Sequence, residues 1–199
     1  MSKINTNILF ASPVTNQNIE DKKLNKSLIK FIKKEKKKKG RTISNEGGYQ
    51  SKDVDLNQSV IKDFTKAITP AITHHIDLHE YEEAKGFQIL NLWFNVNGKN
   101  HFNYDHSHLS GVIDLSGVYY VTVPPNSGNI YFKNPDIGAH VRNAANKPVK
   151  EFNPFNQAYY FYVPQEGSLL LFSSSLEHKV KPNLNDKERI SISFNIRII

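Results

Sequence analysis

The sequence predicts a mainly β protein, a sandwich or barrel of short strands behind a helical N-terminal third. Three observations carry that prediction. From residue 87 onward, apolar and aromatic β-formers come in short runs punctuated by Gly, Pro and Asn: FQILNLWFNV (87–96), SGVYYVTV (116–123), GNIYF (128–132), AYYFYV (158–163), SLLLF (168–172) and RISISFNIRI (189–198). Such punctuated short strands build sandwiches and barrels. Before residue 87 the apolar residues recur at helical spacing instead. The length of 199 residues suits one domain, with a helical part over 1–86 and a jelly-roll core over 87–199.

Taken in order, NILFASP (7–13) reads as a short strand ended by Pro13. Residues 17–35 read as a helix: Ile19, Leu24, Leu28, Ile29 and Ile32 recur at roughly helical spacing, and Gly40 closes the stretch. SNEGGYQSKDVDL (44–56) is Gly- and Ser-rich and reads as a loop, with a lid or substrate loop as its candidate role. Residues 57–85 read as a second helix with Val60, Ile61, Phe64, Ile68, Ile72 and Ile76 on one face, kinked or divided at Pro70. In the last strand, Ile190, Ile192, Phe194, Ile196 and Ile198 alternate with Arg189, Ser191, Ser193, Asn195 and Arg197. Side chains alternate faces along a strand. One face is therefore apolar and packed, while the other meets solvent or lines a wet cavity inside the sandwich.

Composition narrows the chemistry. There is no cysteine, which excludes disulfides, thiolate zinc sites and thiol nucleophiles and leaves His, Asp and Glu as metal ligands. No apolar run approaches the length of a membrane span, and MSKINTNILFASPV lacks the apolar segment of a signal peptide. A soluble, cytoplasmic protein is the expectation. The net charge of +7 is unevenly placed: residues 22–41 hold eleven Lys and Arg and one acid, Glu35, a net +10 that leaves −3 for the rest. KFIKKEKKKKGR reads either as a solvated helix end or as a nucleic-acid contact through Lys33–Lys39.

Eight histidines are present, and DHSHLSGVIDLSGVYY (105–120) places two of them, His106 and His108, two positions apart. On a strand, residues i and i+2 point the same way, so both imidazoles can reach one ion. His178, in SSSLEHKVKPN, lies seventy residues after His108. A near pair plus a distant single His is how jelly-roll metal sites are assembled, and non-haem iron there keeps positions open for substrate and oxygen. Arg189 follows His178 by eleven residues, with Ser191 on the same strand face. An inward guanidinium with a hydroxyl beside it suits a dicarboxylate co-substrate. Tyr119 and Tyr120 fall on opposite faces of their strand, one for the core and the other free to touch co-substrate.

These residues carry a resemblance. SNEGGYQS (44–51), LWFNVNGKNHFNYDHSH (92–108), LSGVYYVTVPPNSGNIYFKNP (115–135), PQEGSLLLFSSSLEHKVKPN (164–183) and ERISISFNI (188–196) resemble the 2-oxoglutarate/Fe(II)-dependent oxygenases, in the branch with a tryptophan-led His-x-His, then SGVYY, His and Arg-x-Ser. The resemblance implies a double-stranded β-helix, Fe(II), and 2-oxoglutarate as co-substrate. It implies His106, His108 and His178 as iron ligands and catalytic residues, and Arg189, with Ser191 beside it, as the co-substrate contacts; Tyr119 and Tyr120 are further candidates by strand position alone. It also implies hydroxylation of an unidentified substrate by molecular oxygen, with release of succinate and carbon dioxide. Two departures stand out. Better-known oxygenases place a carboxylate where His108 stands, and Asp105 and Asp114 are the nearby carboxylates. The gap from His108 to Ser116 is long, so His108 could instead take the first histidine position, with Ser110 at the second; the distance from Trp93 favours His106 as first. The competing reading is an inactive jelly-roll binding module, with or without nucleic acid at Lys33–Lys39.

Overall fold

The computed structural model describes residues 10–82, 84–145, 149–153 and 155–199. Two antiparallel sheets face each other. The larger contains, in spatial order, β1 (Val14–Asn18), β9 (Ser168–Ser173), β6 (Leu115–Thr122), β11 (Arg189–Ile198), β4 (Phe87–Asn97) and β3 (Tyr49–Gln50). The smaller contains β2 (Asn45–Glu46), β5 (Phe102–His106), β10 (His178–Val180), β7 (Ile130–Lys133) and β8 (Tyr159–Tyr162). Among the described residues the helices are α1 (Lys22–Glu35), α2 (Ser59–Asp77) and α3 (Ile137–Ala144).

The two faces of β11 explain the layering. Ile190, Ile192, Phe194 and Ile196 join one apolar cluster with Leu24, Leu28 and Ile32 of α1 and Ile61, Phe64, Ile68 and Ile72 of α2. Phe64 meets Phe194 edge-on, with ring centroids 6.1 Å apart. Burial of each such side chain contributes roughly 1.5–3 kcal/mol, so docking on the sheet holds these helices more than intrinsic propensity does. A second cluster fills the space between the sheets, from Val118, Tyr120, Leu170 and Phe172 of the larger sheet to Ile130 and Phe132 of the smaller. The polar face of β11 turns inward here, so Arg189, Ser191 and Ser193 line a cleft rather than the outer surface.

Several boundaries differ from expectation. The 7–13 strand is not observed over residues 10–13, and residues 7–9 lie outside the described residues. The first described strand instead follows Pro13, because Val14–Asn18 pairs with β9. That pairing also delays α1 to Lys22, where Asp21 caps it by accepting from the Leu24 N–H at 2.8 Å. Helix α2 ends at Asp77 and runs through Pro70 without dividing; the flanking Ile68 and Ile72 are fully buried and hold it across the missing donor. The 44–56 loop contains β2 and β3, which tie the two sheets together through β5 and β4. Gly47 and Gly48 turn the chain between them at positive φ, and a Cβ on Gly47 would lie 2.3 Å from the His101 ring. Strands β5 and β10 and helix α3 had no counterpart among the expected elements.

Candidate active site

Strand β10 pairs with β5 so that His178 stands opposite His106. His108 lies just past the end of β5, where its backbone N–H donates to the Ser174 carbonyl at 2.8 Å. The three rings converge, with centroids 4.4 Å apart for His106 and His178, 5.2 Å for His106 and His108, and 5.3 Å for His108 and His178. One ring nitrogen from each lies within 4.8 Å of the others, a spacing that can hold a metal ion.

The donor chemistry fits a metal. His106 Nδ1 sits 2.7 Å from the Tyr104 carbonyl and His178 Nδ1 2.9 Å from the Leu176 carbonyl. A carbonyl only accepts, so both Nδ1 atoms carry the proton and both Nε2 lone pairs are free. His108 Nδ1 lies 2.6 Å from Asn195 Oδ1, and Ser116 Oγ lies 2.9 Å from both. Burial favours the neutral rings. It pushes His178 down to about 3, with the neighbouring His106 adding to the effect, and it lowers His106 and His108. Neither nearby carboxylate joins the cluster: Asp105 pairs with Lys179 at 2.9 Å, and Asp114 accepts from the Ile198 N–H at 2.7 Å. Among the described residues the cluster is three histidines; Ser110, of the alternative set, forms a backbone bridge with Ile113 and is not among the described residues that line the cleft.

The cleft at this cluster is about 500 Å³ including its mouth, and it is lined by Arg189, Ser191, Tyr120 and the three histidines among others. Arg189 is 2% exposed and, among the described residues, donates only to backbone carbonyls, those of Ser127, Gly128 at 3.2 Å and Lys181 at 3.4 Å. No described acid pairs with it. Burial pushes the guanidinium down from its usual value, yet arginine stays charged, so the cleft holds an uncompensated cation. Tyr120 stands beside Ser191 in register, and its buried hydroxyl has no described partner. Burial raises that hydroxyl to about 12, opposed by Arg189, so it is a donor.

Tyr119 is a correction. It faces the helices, not the cleft: its hydroxyl donates to Asn25 Oδ1 of α1 at 2.6 Å, and its ring packs on Phe64 at 5.2 Å. Strand alternation sends it to the face opposite Tyr120. It cannot touch a co-substrate in the cleft.

Other cleft residues went unassigned in sequence. Trp93 is buried and lies 5.6 Å from the His108 ring, with the Arg41 guanidinium over it at 5.7 Å. Ser116 and Asn195 hold His108. Gln50, Asn95 and Asn103 also line the cleft. The signal for Asn95 and Asn195 was a polar residue on a core-quality strand; for Gln50 it was the Gly- and Ser-rich 44–56 segment, read as a lid or substrate loop without any single residue marked. The basic run lies apart from the cleft: Lys36 pairs with Glu188, Lys38 pairs with Glu35 at 2.8 Å, and no residue of Lys33–Lys39 lines the site.

The structure brings the buried Arg189 and the three imidazoles into one cleft. The family model described as "Putative 2OG-Fe(II) oxygenase" matches residues 91–195, just over half of the chain. The chain belongs to this 2OG-Fe(II) oxygenase family. The oxygenase is thus an enzyme that uses Fe(II) and 2-oxoglutarate. No curated protein matches its sequence. Solved structures share its double-stranded β-helix. A Pseudomonas putida prolyl-4-hydroxylase is 16% identical with a TM-score of 0.65, covering 94% of this chain and 92% of that one. HygX from Streptomyces hygroscopicus, solved with nickel and 2-oxoglutarate, is 10% identical with a TM-score of 0.63, covering 94% and 83%. The carbocyclase SnoK from nogalamycin biosynthesis is 11% identical with a TM-score of 0.66, covering 94% and 80%. Several reactions therefore share this fold.

Proposed function

We propose that the oxygenase holds Fe(II) through Nε2 of His106, His108 and His178, and binds the distal carboxylate of 2-oxoglutarate at Arg189, Ser191 and Tyr120. The observation that carries the reading is the convergence of three imidazoles whose Nδ1 atoms are all held by acceptors. When bound, the iron supplies the oxygen chemistry that couples conversion of 2-oxoglutarate to succinate and carbon dioxide with hydroxylation of a substrate C–H bond.

The chain's own residues do the positioning. The Tyr104 and Leu176 carbonyls and Asn195 fix the tautomer and orientation of the rings. Arg189 supplies a planar, permanently charged fork, already anchored to backbone carbonyls, for a carboxylate. Tyr120, held as a neutral phenol, adds a donor, and Ser191 beside it adds a hydroxyl. Phe172 and Phe132 pack on His178 and keep water from that side. The basic run carries no comparable support for a nucleic-acid partner.

The test is anaerobic. Fe(II) and 2-oxoglutarate are added to purified protein and the visible charge-transfer band of the chelate is recorded. A band in the wild type that is absent from folded His178→Ala supports the assignment. A wild type without a band refutes it.

A further inference from the structure

The charge of the cleft does not balance. Among the described residues that line it, Arg189 is the one formally charged side chain, and no Asp or Glu stands there. The acids nearby are engaged elsewhere: Asp105 pairs with Lys179 at 2.9 Å, Asp53 with Arg41 at 2.7 Å and Glu177 with Lys133 at 2.9 Å. Asp114 is exposed and held by the Ile198 N–H, and Glu46 accepts from the Tyr104 hydroxyl at 2.8 Å. The hydroxyls and amides of Gln50, Asn95, Asn103, Ser191 and Ser193 can turn toward a charge of either sign, and they cancel neither.

We propose that the cleft, once it holds Fe(II) and 2-oxoglutarate, takes a third component that is anionic, a carboxylate monoanion. This rests on the function proposed above. Ligation needs three neutral imidazoles, since each must offer a lone pair. The charges of Fe(II) and Arg189 then come to three positive, against two negative on 2-oxoglutarate at neutral pH, which leaves one positive. A carboxylate in the place of His108 would remove it; the imidazole does not.

His178 and Arg189 are buried, and a charge without a counter-charge away from water is costly. Coulombic attraction also strengthens where water is excluded. The loaded cleft therefore favours a monoanion over a neutral molecule of the same shape and rejects a cation. The leftover charge is single, which matches one carboxylate, and the amide and hydroxyl donors of the wall suit its two oxygens. That carboxylate is either a small free acid or the acid group of the prime substrate, and size separates the two.

The experiment uses the full chain loaded anaerobically with Fe(II) and saturating 2-oxoglutarate, and the charge-transfer band is recorded in every sample. Formate, formamide and methylammonium serve as probes: an anion, its neutral counterpart and a cation of similar size. Paramagnetic broadening of their proton NMR lines reads entry to the cleft. Formate should bind at least about tenfold more tightly than formamide, a modest share of the attraction between unit charges in a partly buried site. Methylammonium should stay sharp, and the band should persist, because the anion joins the co-substrate instead of displacing it. N-acetylglycinate separates the sources: tighter binding than formate assigns the carboxylate to a larger substrate, and weaker binding to a small free acid. His108→Asp places the missing negative charge in the site and should bring formate down to the level of formamide. Asn195→Asp keeps an acceptor for His108 Nδ1 while adding charge behind it, and should shift formate in the same direction without changing a proposed ligand. Formate that fails to outbind formamide, entry of methylammonium, loss of the band on adding formate, or an unchanged preference in a variant that forms the band overturns the inference. A wild type without the band sinks the function on which it rests.

Discussion

Replacing Asn195 by alanine should weaken metal binding without touching a proposed ligand. Asn195 Oδ1 accepts from His108 Nδ1 at 2.6 Å and from Ser116 Oγ at 2.9 Å. Loss of that acceptor frees the His108 ring to rotate and to take the other tautomer, which points a proton where the metal needs a lone pair. Removing a partner of this kind costs about 10- to 100-fold in metal affinity. The lower end applies to the single variant, since Ser116 Oγ remains 2.9 Å from the same Nδ1 and can accept in its place. Asn195→Ala should thus weaken Fe(II) binding about tenfold, or about 1.4 kcal/mol, and the double variant with Ser116→Ala about a hundredfold. The assay is anaerobic Fe(II) titration against a competing chelator, with thermal melting of the metal-free proteins alongside. Folded single and double variants that bind Fe(II) like the wild type would refute the reasoning, because His108 would then need no acceptor behind it.

Other outcomes follow from the same geometry. Arg189→Ala should weaken 2-oxoglutarate binding by at least about thirtyfold, the scale of a buried charged hydrogen-bonding partner, with Fe(II) affinity far less affected; equal losses in both would remove its carboxylate role. Tyr120→Phe should weaken 2-oxoglutarate binding several-fold, about one hydrogen bond's worth. Tyr119→Phe should leave that binding alone and lower stability by about 1 kcal/mol, since its bond to Asn25 is lost; the reverse pattern in titration and denaturant melts would mean the two faces of β6 are misassigned. His75 is fully buried, with Nδ1 at 2.8 Å from Thr15 Oγ1 and Nε2 without a described partner. Burial lowers its folded-state value to about 4 from 6.5, so the unfolded chain binds more protons between those two values. Stability is full above about pH 6.5 and falls by about 3 kcal/mol as pH drops toward 4. Urea melts across that range should show a shallower fall for His75→Gln than for the wild type, and identical slopes would rule out the linkage.

Much of this protein was legible in local pattern. The alternation of residues 189–198 separated an apolar from a polar face, because a strand has a period of two wherever it sits. The absence of cysteine confined any metal to His, Asp and Glu, and the order His106, His108, His178, Arg189 carried the chemistry to the right family. Pattern could not say which face of a strand looks into the cleft. Tyr119 and Tyr120 are equivalent by alternation, and only the docking of α1 and α2 on one side of β6 decides that Tyr120 meets the co-substrate side. The start of α1 likewise turned on a partner, β9, some 150 residues further along.

The sequence by itself determined the donor types, the two-faced character of the last strand and the helical and β halves of the chain, because these depend on residue chemistry and short-range periodicity. Only the tertiary structure decided that His178 stands opposite His106, that Asp105 and Asp114 turn away, that Asn195 and Ser116 back His108, and that Gln50 enters the cleft from an apparent loop. Each of these joins residues far apart in the chain, and strand register and side-chain packing, which no local pattern encodes, fix where such residues meet.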